Sequence, residues 1–192
     1  MFVAAVGCSS ASNTPALDSH ILPDAPEPPD VQSSPIDVPL PTPDGGCTLA
    51  DGITAADVQR LRKEYSEYTF VCYINTTAAV KALCDVCVTS SNVYAIVERI
   101  ENDRIYFLPD RLMGENVINH LRDKGVEKTI EVYDGTCYVH EEYTPQMITN
   151  IRRKFDGVSI LAHPECDETI IEKSDYVGST SQMVNYVKEK EK

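Results

Sequence analysis

The chain has 192 residues, 30 of them Asp or Glu against 17 Lys or Arg, for a formal net charge of −13. That balance argues against a nucleic-acid partner, because phosphate contacts need a basic patch. No run approaches the roughly 20 consecutive apolar residues of a membrane span, so the sequence reads as a soluble, cytoplasmic protein with no membrane partner.

In chain order, residues 1–44 come first, with nine of the twelve prolines, six acidic residues and no Lys or Arg. This composition cannot bury a core and reads as a disordered, Pro-rich acidic leader. Its opening MFVAAVGCSS resembles a lipoprotein processing site at Cys8, but it lacks a positive n-region and its apolar stretch is short for an export signal. From residue 45 a regular α/β alternation begins. Thr54 and Asp57 form a capping box before a helix through Tyr65. Strands are expected at Thr69–Ile74, Val86–Thr89, Ile105–Leu108 and Thr129–Val132, and helices at Ala78–Leu83, Val93–Ile100 and Val117–Lys124. A second round follows. Thr144 is the N-cap and Pro145 the first helical residue of a helix to Phe155, before strand Val158–Ala162, helix Glu168–Lys173, strand Tyr176–Val177 and helix Gln182–Lys188. Strands alternating with helices predict α/β/α sandwich domains with short parallel sheets, and functional residues just past the strand C-termini.

The two rounds are copies in a register of ninety residues: 45–134 is one repeat and 135–192 part of a second. Cys47 and Cys137 match, as do Tyr73 and His163, Asn75 and Glu165, Asp85 and Asp175, and Ser90 and Thr180. Self-similarity at a fixed period marks one supersecondary unit used again. That polar residues keep the register points to a site on a pseudo-symmetry axis.

Cys47 follows Gly45-Gly46 and Cys137 follows Gly135-Thr136, both in loops before a capped helix. The glycines let backbone approach closely. Two thiolates meeting at the axis can ligate zinc or an iron–sulfur cluster, with a third ligand still required; a single Cys is otherwise a small buried hydrophobe. Tyr73-x-Asn75 and His163-x-Glu165 end their strands with side chains at i and i+2 on the same face. They suit acid/base chemistry or a polar substrate, against helix capping as the plainer role. Thr89-Ser90-Ser91-Asn92 and Ser179-Thr180-Ser181-Gln182 stand between a strand and a helix, where amides and hydroxyls bind anions and one hydroxyl is an ordinary cap. Seven cysteines is an odd count unlike a secreted disulfide framework, so the thiols read as reduced. Cys84-x-x-Cys87 lies outside a helix N-terminus and reads as packing rather than redox chemistry. Cys137-x-x-His140 is a weak zinc pair, since Ala50 holds the matching place in the first copy. His20 and His120 are given no functional role.

GGCTLAD, CYINTTAAVKA, VTSSN, FLPDRLMGENV, GTCYVHEEYT, HPEC and DYVGSTSQM, in this order over residues 45 to about 188, together resemble quinolinate synthase, the NadA-type enzyme of NAD biosynthesis. The resemblance implies three pseudo-threefold α/β/α domains, each giving one cysteine to a central [4Fe-4S] cluster. It implies condensation of iminoaspartate, supplied by L-aspartate oxidase or aspartate dehydrogenase, with dihydroxyacetone phosphate to give quinolinate. By motif, Cys47 and Cys137 are the implied cluster ligands. Tyr73, Asn75, Ser90, His163, Glu165, Ser179 and Thr180 are the implied substrate contacts, with Tyr73, His163 and Glu165 as proton carriers. The family's first domain and third cysteine have no counterpart in this sequence. The chain is therefore expected to be an incomplete fragment that neither holds a stable cluster nor turns over alone. A non-catalytic α/β binding module or pseudo-enzyme is the alternative, and a zinc or redox thiol protein built on Cys84 and Cys87 is a third class.

Overall fold

A computed structural model of the chain describes residues 2–5 and 48–190. It opens with β1 (Phe2–Ala5), then α1 (Thr48–Asp51), α2 (Ala55–Glu64), β2 (Thr69–Tyr73), α3 (Ala78–Lys81), β3 (Val86–Val88), α4 (Val93–Arg99), β4 (Arg104–Leu108), α5 (Arg111–Asp123) and β5 (Thr129–Val132). The second round is α6 (Tyr138–Glu141), α7 (Pro145–Lys154), β6 (Ser159–Ala162), α8 (Glu168–Glu172), β7 (Tyr176–Val177) and α9 (Thr180–Lys190).

Strands β3-β2-β4-β5 form one parallel sheet and β1-β6-β7 a second. The inner strands β2 and β4 are continuous apolar runs because both faces are covered. Val71, Tyr73, Ile105 and Phe107 face one way, onto Val93, Val97, Met113, Val117 and Leu121 of α4 and α5. The residues between them, Phe70, Cys72, Tyr106 and Leu108, face Val58, Leu61 and Val80 on the other side. A strand period of two thus splits one sheet between two helical layers, giving the expected α/β/α sandwich with parallel strands. In the second copy Ile160 and Ala162 pack with Ile148, Cys166 and Ile170. Among the described residues no helix is long and apolar enough to cross a membrane.

The predicted caps form. Thr54 accepts from the Asp57 N–H at 3.2 Å while Asp57 accepts from the Thr54 N–H at 3.1 Å, and Thr144 caps α7 with Pro145 in its first turn. The ninety-residue register also recurs as repeated bonds. Asp85 Oδ2 accepts from the Phe70 N–H at 2.8 Å and is gripped by Arg62; Asp175 Oδ2 accepts from the Ile160 N–H at 2.7 Å and is held by Arg152 at 2.8 Å. All three partners in each set are ninety residues apart. In each copy a carboxylate therefore ties the start of the central strand to the preceding helix.

Two expectations change. The helix expected at Val117 starts six residues earlier, at Arg111, because Asp110 caps it by accepting from the Met113 N–H at 2.7 Å; Pro109 precedes the cap and does not interrupt the helix. The leader expected to be disordered contains β1, which pairs in parallel with β6. Its apolar FVAA run satisfies an otherwise open strand edge. Its register, Phe2↔Ser159 to Ala5↔Ala162, is that of β4 on β2, Ile105↔Thr69 to Leu108↔Cys72. β1 thus takes, in the second sheet, the place that β4 takes in the first. Residues 6–47, with Cys8, the Gly45-Gly46 pair and Cys47, lie outside the described residues.

Candidate functional site

The C-terminal ends of β2 and β6 carry the two predicted pairs, and the fold brings them together across the repeats. Asn75 Nδ2 donates to Glu165 Oε1 at 3.2 Å, a bond between positions ninety residues apart. His163 Nδ1 lies 2.9 Å from Glu165 Oε2. Ser90 and Glu165 are polar side chains that act on the Tyr73 hydroxyl. Burial, followed by the Glu165 charge, drives the Tyr73 phenol pKa far above its ordinary value, so the group stays protonated. Tyr73, His163 and Glu165 are buried and Asn75 is half-buried.

A loop that could swing would not hold these groups. Here α5 pins it: the buried Asn116 amide donates to both the Pro164 and Cys166 carbonyls at 2.8 Å, and Asn119 donates to Glu168 at 2.8 Å. The His163-Pro164-Glu165 turn is thus fixed by a helix of the other repeat.

Three residues that the sequence analysis left out of this site, His140 having been weighed only as a weak zinc pair with Cys137, belong to it. His140, one turn into α6 after Cys137, is 1% exposed and its Nε2 stands 3.6 Å from Glu165 Oε2. Its ring lies parallel to that of His163, 6.2 Å away. Burial lowers the His140 pKa, opposed by Glu165, so the imidazole is neutral. Asp110, at the end of β4, is fully buried; burial first and Glu165 second push its carboxyl up to about 7. Asp110 Oδ2 has no hydrogen-bond partner among the described residues. Asn116 is the third. The signal available for Asp110 and Asn116 was the PDRLMGEN run, polar residues on a face of α5 that otherwise packs the core.

The hydroxyl clusters divide. Ser90 acts on the Tyr73 hydroxyl, and Ser179 is buried, whereas Thr180 is exposed at the start of α9. The Thr89 N–H donates to Asn92 Oδ1 at 2.7 Å and the Ser179 N–H to Gln182 Oε1 at 2.8 Å. Both loops thus close on themselves by the same matched bond, and those two amides are engaged within the loop. Cys72 and Cys87 are neighbours on β2 and β3, and Cys84 Sγ donates to the Val80 carbonyl at 3.3 Å. Burial pushes the Cys166 thiol up to about 11, leaving it inert.

Cys137 is buried at the N-cap of α6, with no side-chain cap hydrogen bond among the described residues. The close approach expected of the glycine before it is present: a Cβ at Gly135 would stand 2.7 Å from the Pro109 carbonyl oxygen. Gly135 also accepts from the Arg111 N–H at 2.7 Å, tying the Cys137 loop to the start of α5. Gly135→Ala must push this backbone apart, and a loss of about 1–3 kcal/mol is expected, as for other overpacked sites. Urea unfolding measures it, and an unchanged midpoint would show that the contact yields freely. Of the two cysteines implied as cluster ligands, Cys137 is among the described residues; a cluster needs further thiolates beside it.

Buried polar groups from the ends of β2 and β6 thus meet in one place. A family model described as quinolinate synthetase A protein matches residues 29–192. Quinolinate synthase of Clostridium perfringens (strain SM101 / Type A) is 39% identical over 148 residues, 77% of this chain and 48% of that protein. The Caldicellulosiruptor bescii quinolinate synthase is 41% identical over 155 residues, 79% of this chain and 50% of that protein. The Aquifex aeolicus quinolinate synthase is 40% identical over 146 residues, 76% and 44%. The chain spans about half the length of the curated relatives it matches. With a family model covering most of its length and a repeat-spanning site at matched positions, the chain belongs to the quinolinate synthetase A family.

Proposed function

We propose that the chain forms part of a quinolinate synthase, the enzyme that condenses iminoaspartate with dihydroxyacetone phosphate to quinolinate, and that its Tyr73–Asn75–His163–Glu165 cluster binds the dicarboxylate portion. The observation that carries this reading is the Asn75–Glu165 hydrogen bond, which joins equivalent positions of two repeats. In the proposed roles, Asn75 fixes Glu165 through Oε1 and leaves Oε2 toward the imidazoles of His163 and His140. Glu165 and His163 then form a proton-carrying couple. Tyr73, kept protonated, donates a hydrogen bond to a substrate oxygen, and Ser90, Ser179 and Thr180 receive carboxylate or phosphate oxygens. Cys47 and Cys137 are the proposed contributions of this chain to a [4Fe-4S] cluster, which supplies Lewis-acid chemistry when bound; no step above runs through it. Iminoaspartate is supplied by L-aspartate oxidase or aspartate dehydrogenase in the cytoplasm.

The test is calorimetric titration of the chain with quinolinate. One site per chain is expected, with affinity lowered about tenfold or more in Asn75→Ala and in His163→Ala, since each removes a polar contact at the site. Absence of binding, or binding that both variants retain in full, rules the reading out.

A further inference from the structure

His140, His163 and Glu165 place one donor atom each within 4.8 Å of one another, and all three are buried. The nearest approaches are 2.9 Å from Glu165 Oε2 to His163 Nδ1 and 3.6 Å to His140 Nε2. A tetrahedral ion with bonds of about 2.0–2.1 Å separates its ligands by roughly 3.3 Å, so the spacing suits one ion. The supporting shell is already built. Asn75 holds Oε1 and so turns Oε2 to the histidines, while Asn116 fixes the loop that carries His163 and Glu165. Outer partners of this kind orient metal ligands.

Among the described residues, protein groups leave this arrangement incomplete. Neither nitrogen of the His140 ring has a hydrogen-bond partner among the described residues, although the ring is 1% exposed. A buried polar atom without a partner carries a desolvation penalty of about 1–3 kcal/mol. A cation seated between Oε2 and the two imidazoles gives Nε2 its partner. Two histidines and one carboxylate also form a recognised donor set for zinc(II) and for iron(II), with a position left open.

We propose that His140, His163 and Glu165 together bind a single divalent transition-metal ion, independently of any cysteine. This goes beyond the cluster reading, which assigns metal to Cys47 and Cys137. Its test needs neither sulfide, substrate nor turnover, so it can fail or succeed separately from the quinolinate synthase reading.

The experiment is anaerobic titration of the chelator-treated full chain with cobalt(II). The expected result is one ion per chain, with the visible d–d absorption of a low-coordinate nitrogen–oxygen site and no intense near-ultraviolet thiolate band. His140→Ala and Glu165→Ala should each weaken binding by at least about tenfold, and the double variant Cys47→Ser, Cys137→Ser should bind as before. Circular dichroism reports whether each variant folds. Should a histidine or glutamate variant not fold, the spectrum of the unaltered chain decides, because thiolate and imidazole ligation differ in it. No bound cobalt, a thiolate band, or binding lost with the cysteines overturns the proposal.

Discussion

Replacing Asp110 with asparagine is expected to stabilise the chain at pH 8 and to flatten its stability between pH 5 and 8. The folded carboxyl is pushed up to about 7 by burial and by Glu165, whereas in the unfolded chain it ionises near the ordinary value of about 4. Between those values the folded state holds the extra proton, so stability falls as pH rises and the decline ends above about pH 7. Each unit of difference is worth about 1.4 kcal/mol, which makes the decline about 3 kcal/mol from pH 5 to 7. Asparagine cannot ionise, yet its side-chain oxygen can still accept from the Met113 N–H that Asp110 caps. Urea unfolding of both chelator-treated chains across this range makes the comparison. Parallel pH dependences would show that Asp110 is not the group responsible.

The second large effect concerns the two matched carboxylates. Asp85→Ala and Asp175→Ala should each lower stability by about 2 kcal/mol, the usual worth of a hydrogen bond to a charged group. The greater part comes from the Phe70 and Ile160 N–H groups at 2.8 and 2.7 Å, each left without its acceptor. The arginine pairs add little, because both aspartates are 39% exposed at the side chain. The two losses should be similar and should add in the double variant, since the residues share no partner and serve different sheets. The Arg62 hydrogen bonds hold Asp85 below the usual carboxylate range, and the Ile160 N–H does the same for Asp175. Their contribution is therefore present above the unfolded pKa and is lost as pH falls through the lowered values, opposite in sign to Asp110. Chemical unfolding of the three variants tests this; a markedly unequal pair would break the equivalence of the repeats.

Much of this was legible in the sequence, for a local reason. Thr54 with Asp57, and Thr144 with Pro145, mark helix starts by chemistry that acts within one turn. The ninety-residue register located Tyr73, Asn75, His163 and Glu165 because a repeated unit brings equivalent positions to one place. The same logic set His140 aside: Ala50 stands opposite it, and a comparison of copies discounts what only one copy carries. Asp110 and Asn116 lie on or beside α5, which has no counterpart in the described part of the second repeat. Their meaning comes from burial and from a neighbour some fifty residues further along the chain. β1 escaped notice because four apolar residues before a proline-rich stretch carry no period of their own; only the edge of β6 gives them a role.

That strand sets the order in which the second sheet can form. The first sheet pairs strands separated by one helix, or by two helices and β3 in the case of β2 and β4, so its contacts are local and form early. In the second, β6 and β7 pair locally, but the sheet is complete only when Phe2 finds Ser159, most of the chain away. Closing so long a loop is entropically slow. Among the described strands β1 comes first along the chain, yet it can take its place only once β6 has been made.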